Sequence, residues 1–392
     1  MSYKMKPILV FLLIFKLAFQ LIAIEPANEN PTIQSWNSIS IEASYIGDFV
    51  GNISGGLSKG TSYLGLANFQ TDFNTELFGI WKGGNLFLNV GFAHGKSPSE
   101  NLIGDFQIAS NIDAGGNFFF IQELWFNQKI KNLSIKLGLL DLNADFASSE
   151  NSSHFINSSF GIAPVIANNV PSSIFPFTGL GITGEYVLDT KIKIQLGIFD
   201  GCPAIIGSSD RNFCWKIKDT DGLLFFTEIQ FLKKINEQTG IYKLGYYYHT
   251  GLSEKNETNN EYYSVFKHNY GYYLNIDQVL WKNKNHSLGL FSQISYSPPE
   301  INEHNFYGSF GLNINGCFLK SGNDSFGLAF AFAGFNYIKN HKHESVMELY
   351  YHLKITDNFY IRPDIQIVLN PEGTEMELSN AFVSFLRFGL NI

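Results

Sequence analysis

The sequence predicts an all-β fold, a 16-stranded antiparallel transmembrane β-barrel with a long third extracellular loop folded into the lumen. Three observations predict it. Charged residues make up 16% of the chain against about 25% in soluble proteins, while Phe (37), Tyr (19) and Gly (36) are abundant. From residue 39 onward apolar side chains recur with a period of two. The connections between these stretches divide into short and long ones in alternation.

The same composition excludes other classes. A chain of 392 residues with 45% apolar content is neither disordered nor a charged coiled coil. Its net charge of −8 and its three arginines, Arg211, Arg362 and Arg387, supply no basic stripe for nucleic acid.

In chain order, the first element is an address. Residues 1–6 carry Lys4 and Lys6, and 7–24 form an apolar run broken only by Lys16. A basic start before an apolar stretch reads as a signal peptide, 1–23, followed by a short periplasmic segment, 24–38. The competing reading, an anchoring helix, must bury Lys16 at a cost of about 3 kcal/mol. An exported protein destined for lipid then needs strands, because no later run reaches helical spanning length.

The strands follow from alternation, since successive side chains of a strand point to opposite faces. In 345–355, Met347, Leu349, Tyr351, Leu353 and Ile355 share one face and Glu348, Tyr350, His352 and Lys354 the other. In 359–370 the odd positions are apolar and the even ones include Arg362, Asp364 and Gln366. Ile192, Ile194, Leu196 and Ile198 stand against Lys191, Lys193 and Gln195, and Phe306, Phe310, Leu312 and Ile314 against Ser309, Asn313 and Asn315. The stretches fall at 39–46, 61–70, 76–93, 118–130, 133–141, 180–188, 192–200, 222–233, 240–250, 269–281, 286–297, 305–318, 325–338, 344–356, 359–370 and 379–392. Most are as long as the roughly 9–11 residues a tilted membrane strand requires. Connections after even-numbered strands are short, as at Asn132 and 282–285. Those after odd-numbered strands are mostly long, as at 47–60, 94–117, 142–179, 201–221 and 251–268. Short periplasmic turns and long outer loops are the habit of outer-membrane barrels, and closure gives every backbone polar group a partner in hydrocarbon.

Several short stretches together resemble the carbohydrate-selective (OprB-type) porins of Gram-negative outer membranes. They are Gly104-Asp105-Phe106-Gln107 with Ser110-Asn111-Ile112, Gln122-Glu123-Leu124-Trp125, Leu137-Gly138 through Asp141, and Ala144-Asp145-Phe146. Phe155 through Gly161, Gly197-Ile198-Phe199-Asp200-Gly201, and Arg362-Pro363-Asp364-Ile365-Gln366 leading to Asn370-Pro371 complete the series. The likeness spans nearly all of the mature chain. It implies a 16-stranded barrel in the outer membrane that lets mono- or oligosaccharides diffuse into the periplasm, with outer-membrane lipid and the barrel-assembly machinery as its surroundings. The chain departs from the resemblance in its scarcity of arginine. A general-diffusion channel or one for another substrate is the alternative. The resemblance implies a monomer, whereas general porins form homotrimers.

Selectivity is expected where the lumen narrows. The connection 142–179 is too long for an ordinary loop. Its apolar side chains, among them Phe146, Phe155, Phe160, Ile162, Val165 and Ile166, call for burial against the wall. Asp145, Phe146, Phe155, Asn157 and Phe160 are the expected constriction residues. Alternation nominates Glu123, Trp125, Glu228, Gln230, Glu348, Tyr350, His352, Arg362, Asp364 and Gln366 as pore-lining or sugar-contact residues, with Arg362 and Asp364 able to pair along one wall. A sugar path needs many hydrogen-bond partners and flat apolar faces, with no single tight site.

Other motifs carry less. Cys202 and Cys214 share a polar segment and can form a disulfide in an oxidising compartment, leaving Cys317 over. The spacing of cysteines and histidines, His341 and His343 included, favours no metal, and no cofactor is expected. Gly179-x-Gly181-x-x-Gly184 with Asp200 matches a dinucleotide fingerprint but lacks the following helix. An outer-membrane hydrolase would place His154 beside Ser152 or Ser153, without an activating motif. The chain is therefore not read as an enzyme.

Overall fold

The computed structural model describes residues 39–392 apart from 204–211, 213–216, 218–219, 252, 258–261, 267, 320 and 337–340. The signal peptide 1–23, the segment 24–38 and Cys214, hence the Cys202–Cys214 bridge, lie outside the described residues.

The strands are β1 (Ile39–Ser54), β2 (Gly60–Asn74), β3 (Gly84–Gly95), β4 (Phe118–Ile130), β5 (Leu133–Leu140), β6 (Gly179–Val187), β7 (Ile192–Asp200), β8 (Leu223–Ile235) and β9 (Gln238–His249). After them come β10 (Ser253–Glu257), β11 (Tyr262–Phe266), β12 (Asn269–Asn283), β13 (His286–Tyr296), β14 (His304–Asn315), β15 (Asp324–Phe335), β16 (His343–Lys354), β17 (Phe359–Leu369) and β18 (Ala381–Asn391). All except β10 and β11 form one closed antiparallel barrel, in which β1 pairs with both β2 and β18. The remaining two make a hairpin of their own within a connection. These 16 barrel strands are the architecture the alternation predicts.

Closure at β1–β18 runs in continuous register from Ser44–Asn391 to Asn52–Val383. Along each strand one face is exposed and apolar, as at Leu196, Ile198, Leu244, Phe310 and Leu386. The opposite face is buried and largely polar, as at Asp48, Gln195, Glu228, Asn275, Gln293, Asn313 and Glu348. That division suits a wall with lipid outside and polar contents inside.

Turn chemistry fits the short rim. Asn236 and Glu237 both take positive φ (50° and 63°), the pattern of a two-residue turn whose twist matches its strands. Two boundaries differ from the sequence reading. The first strand does not stop at 46: Gly47 and Gly51 look like loop residues. Yet Asp48, Val50 and Asn52 keep facing inward and Phe49 and Ile53 outward, so the first outer loop is only 55–59. The third strand starts at Gly84 rather than 76. Gly79 and Gly83 adopt positive φ (71° and 75°), which a strand cannot hold, and Thr75 N–H and Oγ1 both donate to Gly84 O and close a turn. With 75–83 and 316–323 on the short rim, the sorting of connections is clearest for the long loops 96–117, 141–178, 201–222 and 250–268.

A bulge re-aims β4. Asn89 pairs with Glu123 and Val90 with Ile121, which leaves Gln122 as an extra residue. Phe118 and Phe120 therefore face the same side as Glu123 and Trp125 despite opposite parity.

On the inner wall, bulky rings lie flat over glycines. A Cβ at Gly271 would meet the ring of Tyr247, and one at Gly245 the ring of Tyr273, a reciprocal exchange between the paired strands β9 and β12. The lack of side chains there flattens the wall, so that a loop can pack upon it.

Candidate functional site

The connection 141–178 follows β5 and contains three α-helical turns, Leu142–Asp145, Ser158–Gly161 and Pro164–Ala167, and a 3-10 turn, Ser152–His154. Each is too short to be stable alone. Asp141 caps the first by accepting Asn143 N–H, and Asn157 caps the second by accepting Ser159 N–H. What fixes the segment is its packing against side chains of the strands. Phe146, Phe155, Phe160, Val165 and Ile166 are fully buried in the main apolar cluster with Phe199, Phe226, Tyr247, Phe291 and Tyr350. Each such side chain contributes about 1.5–3 kcal/mol of burial.

Polar posts on the strands complete the attachment. Glu228 accepts Ala147 N–H (2.9 Å) and the Tyr273 hydroxyl (2.7 Å). Asp277 accepts Ser149 Oγ and Asn151 N–H, both at 2.9 Å. Glu348 accepts Ile156 N–H (2.5 Å) and Asn157 N–H (2.8 Å), and Gln366 accepts from Asn157 Nδ2 (3.2 Å). Tyr247 donates to Val165 O, Tyr307 to Ser159 O, and Arg362 Nη1 to His154 O (2.6 Å). Backbone N–H groups that would otherwise be unsatisfied in a loop away from water are thereby paired.

A second connection, 96–117, makes similar contacts that sequence reasoning missed. Glu344 at the start of β16 accepts Phe106 N–H (2.7 Å) and Gln107 N–H (2.9 Å). Gln366 Nε2 donates to Ala109 O (2.8 Å). Ser110 Oγ donates to Asp48 (2.7 Å), which is held by Arg387 through Nε (2.7 Å) and Nη2 (2.8 Å). The resemblance motif around Asp105 and Ser110 was the available signal. Its partners Glu344, Gln366 and Arg387 lie more than two hundred residues away in sequence, and Asp48 lies 62 away, beyond the reach of periodicity.

The nominated residues thus separate into two groups. Glu228, Gln230, Glu348, Tyr350, Arg362, Asp364 and Gln366 are buried; Glu228, Glu348, Arg362 and Gln366 hold a connection, Gln230 donates to Glu228 (2.6 Å), and Tyr350 donates to Asn313 on β14 (2.8 Å). Glu123, Trp125 and His352 keep partial exposure. Trp125 stacks on Phe87 (centroids 4.9 Å apart), donates its indole N–H to Glu123 (3.0 Å), and carries Lys136 Nζ 4.7 Å from its ring. Lys136 also pairs with Asp145 (2.7 Å), to which Thr183 donates. His352 lies against the Tyr360 ring.

The expected Arg362–Asp364 pair does not form among the described ion pairs. Residues i and i+2 of a strand stand about 6.6 Å apart. Arg362 instead reaches His154 O and lies 4.6 Å over the Tyr350 ring. Charges in the connection respond to enclosure: burial pushes the Asp141 carboxyl up to about 6, against the hydrogen bond from Asn143 N–H. Burial, helped by the Arg362 charge, holds His154 below its ordinary value. Ser152 Oγ donates to Ser149 O and Ser153 Oγ to Glu150 O, so neither hydroxyl is set against His154 as a nucleophile.

Comparison with known proteins agrees with this architecture. The family model described as carbohydrate-selective porin, OprB family, matches residues 58–391. Porin B of Pseudomonas aeruginosa is 23% identical, over 88% of this chain and 85% of its own length. The high-pH structure of Pseudomonas putida OprB superposes with a TM-score of 0.82 at 20% identity, covering 91% of this chain and 94% of that one. The low-pH structure of the same protein gives 0.59 at 16% identity, over 91% and 93%. At these identities the solved structures establish the fold, and the family match over most of the sequence establishes membership. The chain belongs to the OprB family of carbohydrate-selective porins, is not an enzyme, and resides in the Gram-negative outer membrane.

Proposed function

We propose that the connection 141–178 lies in the lumen as the constriction, and that sugars cross beside it along the wall of β3 to β6. The buried anchors Glu228, Asp277, Glu348 and Gln366 fix the loop in place of touching solute. The observation that carries this reading is the contrast in exposure. The anchors are fully enclosed, while the Phe87–Trp125 rings, Glu123, Lys136 and the loop's own Asp145 form a half-open polar and aromatic patch. Stacked rings offer a flat face to a pyranose, and carboxylates and an ammonium beside them exchange hydrogen bonds with its hydroxyls. Gly138 pairs with Trp125 across β4–β5 and adds no side chain, so Phe87 and the Lys136 ammonium are the groups that lie against the indole.

Passage demands weak contacts in series. In reconstituted liposomes, Trp125→Ala is expected to slow sugar-driven swelling several-fold relative to its effect on salt conductance. Equal effects on sugar and salt would place the sugar path elsewhere.

A further inference from the structure

Three segments distant in sequence converge on one buried carboxylate at the outer end of β16. Glu344 accepts the N–H groups of Phe106 and Gln107 from the second connection and of Glu372 (2.8 Å) from the connection before β18. Gly373 N–H also donates to Gly104 O (2.8 Å), tying those two connections directly. Asp105, the residue beside this grip, is 6% exposed, and neither of its carboxyl oxygens meets a hydrogen-bond partner.

The groups around it are mostly acids. Glu344 faces Asp105 from β16, and Asp113 and the Ser99 hydroxyl face it from its own connection. Glu372 stands beyond Glu344, and its carboxylate binds the His341 ring (2.6 Å). The His304 ring at the start of β14 packs edge-on against Phe106. Glu344 receives three backbone donors, but burial and the facing Asp105 carboxylate work against its charge, so the two buried acids compete for one negative charge. A second negative charge at Asp105 would lie beside it in an enclosed, weakly screened place.

We propose that Asp105 and Glu344 form a proton-operated latch: a proton on Asp105 keeps the second connection seated on the wall, and its loss releases residues 104–107 and widens the outer mouth. Burial, with the Asp113 charge adding to it, raises the Asp105 carboxyl to about 6 despite nearby hydrogen-bond donors. A released, solvated Asp105 returns to an ordinary value of about 3.9. The seated form binds the proton more tightly, so seating is favoured at low pH. It weakens roughly tenfold for each pH unit between about 4 and 6, about a hundredfold in all, and levels off above that.

The test is conductance in planar bilayers between pH 4 and 8, with amide exchange of residues 104–113 followed in the same detergent-solubilised protein. The wild type is expected to conduct more, with more frequent fluctuations, at pH 8 than at pH 4, with the change complete by about pH 6. The Phe106 and Gln107 amides should lose protection over the same range after correction for intrinsic exchange. Asp105→Asn keeps the shape without the charge and should hold the low-pH behaviour throughout. A wild-type profile that is flat, or an Asp105→Asn profile that still follows the wild type, would overturn the latch. So would unchanged protection at Phe106 and Gln107.

Discussion

Arg387 and Asp48 show how single residues hold this wall. The guanidinium grips the carboxylate through two bonds across the β1–β18 closure, with side chains 5% and 0% exposed. Arg387→Ala leaves Asp48 as an uncompensated buried charge, and the expected loss is about 3–5 kcal/mol. It is read as a lower temperature for the shift from the compact to the unfolded band on a denaturing gel. Glu348→Ala removes the acceptor for two buried N–H groups, each costing about 1–3 kcal/mol when left unmatched. The expected result is a noisier channel with little change in barrel melting. The alternation sets Glu348, Arg362 and Asp364 on one face of their strands, and that face is buried. It could not tell an anchor from a solute contact, because that depends on which loop returns to cover each residue. Arg387 entered only as one of three arginines, since its partner Asp48 lies at the other end of the chain.

Elements differ in how much of their form is local. The strands were legible because one face meets lipid and the other does not, and a period of two survives even in a chain rich in glycine. The first strand was cut short at Gly47 because glycine signals a turn locally. In the barrel it gives room to the neighbouring rings of Phe388 and Tyr63. The bulge at Gln122 and the seat of the second connection left no periodic trace. The outer face carries its own expectation. Leu244, 54% exposed on β9, stands among apolar neighbours. Leu244→Arg is expected to cost up to about 2–4 kcal/mol if the site lies near the bilayer midplane, and less toward the interfaces. Folding yield into vesicles of graded thickness measures that cost. An equal yield for both proteins would mean that this face does not meet acyl chains.

For the whole molecule, closure and filling are separate achievements. The barrel is closed by β1 against β18, whose backbone bonds leave no free edge in hydrocarbon. A cylinder of this strand number is wide enough for an aqueous channel unless something narrows it. The long connection supplies an apolar underside for the wall and a polar margin toward the Trp125 side. The apolar residues of 142–179 foretold burial from sequence alone. The wall to which they attach required the fold. The most direct test of this account is single-channel conductance, with and without added disaccharide, of the wild type and a variant in which residues 146–177 are replaced by a short Gly/Ser link. The account predicts a conductance several-fold higher in the shortened protein and a loss of sugar-induced current reduction. An unchanged conductance with unchanged sugar response would contradict it.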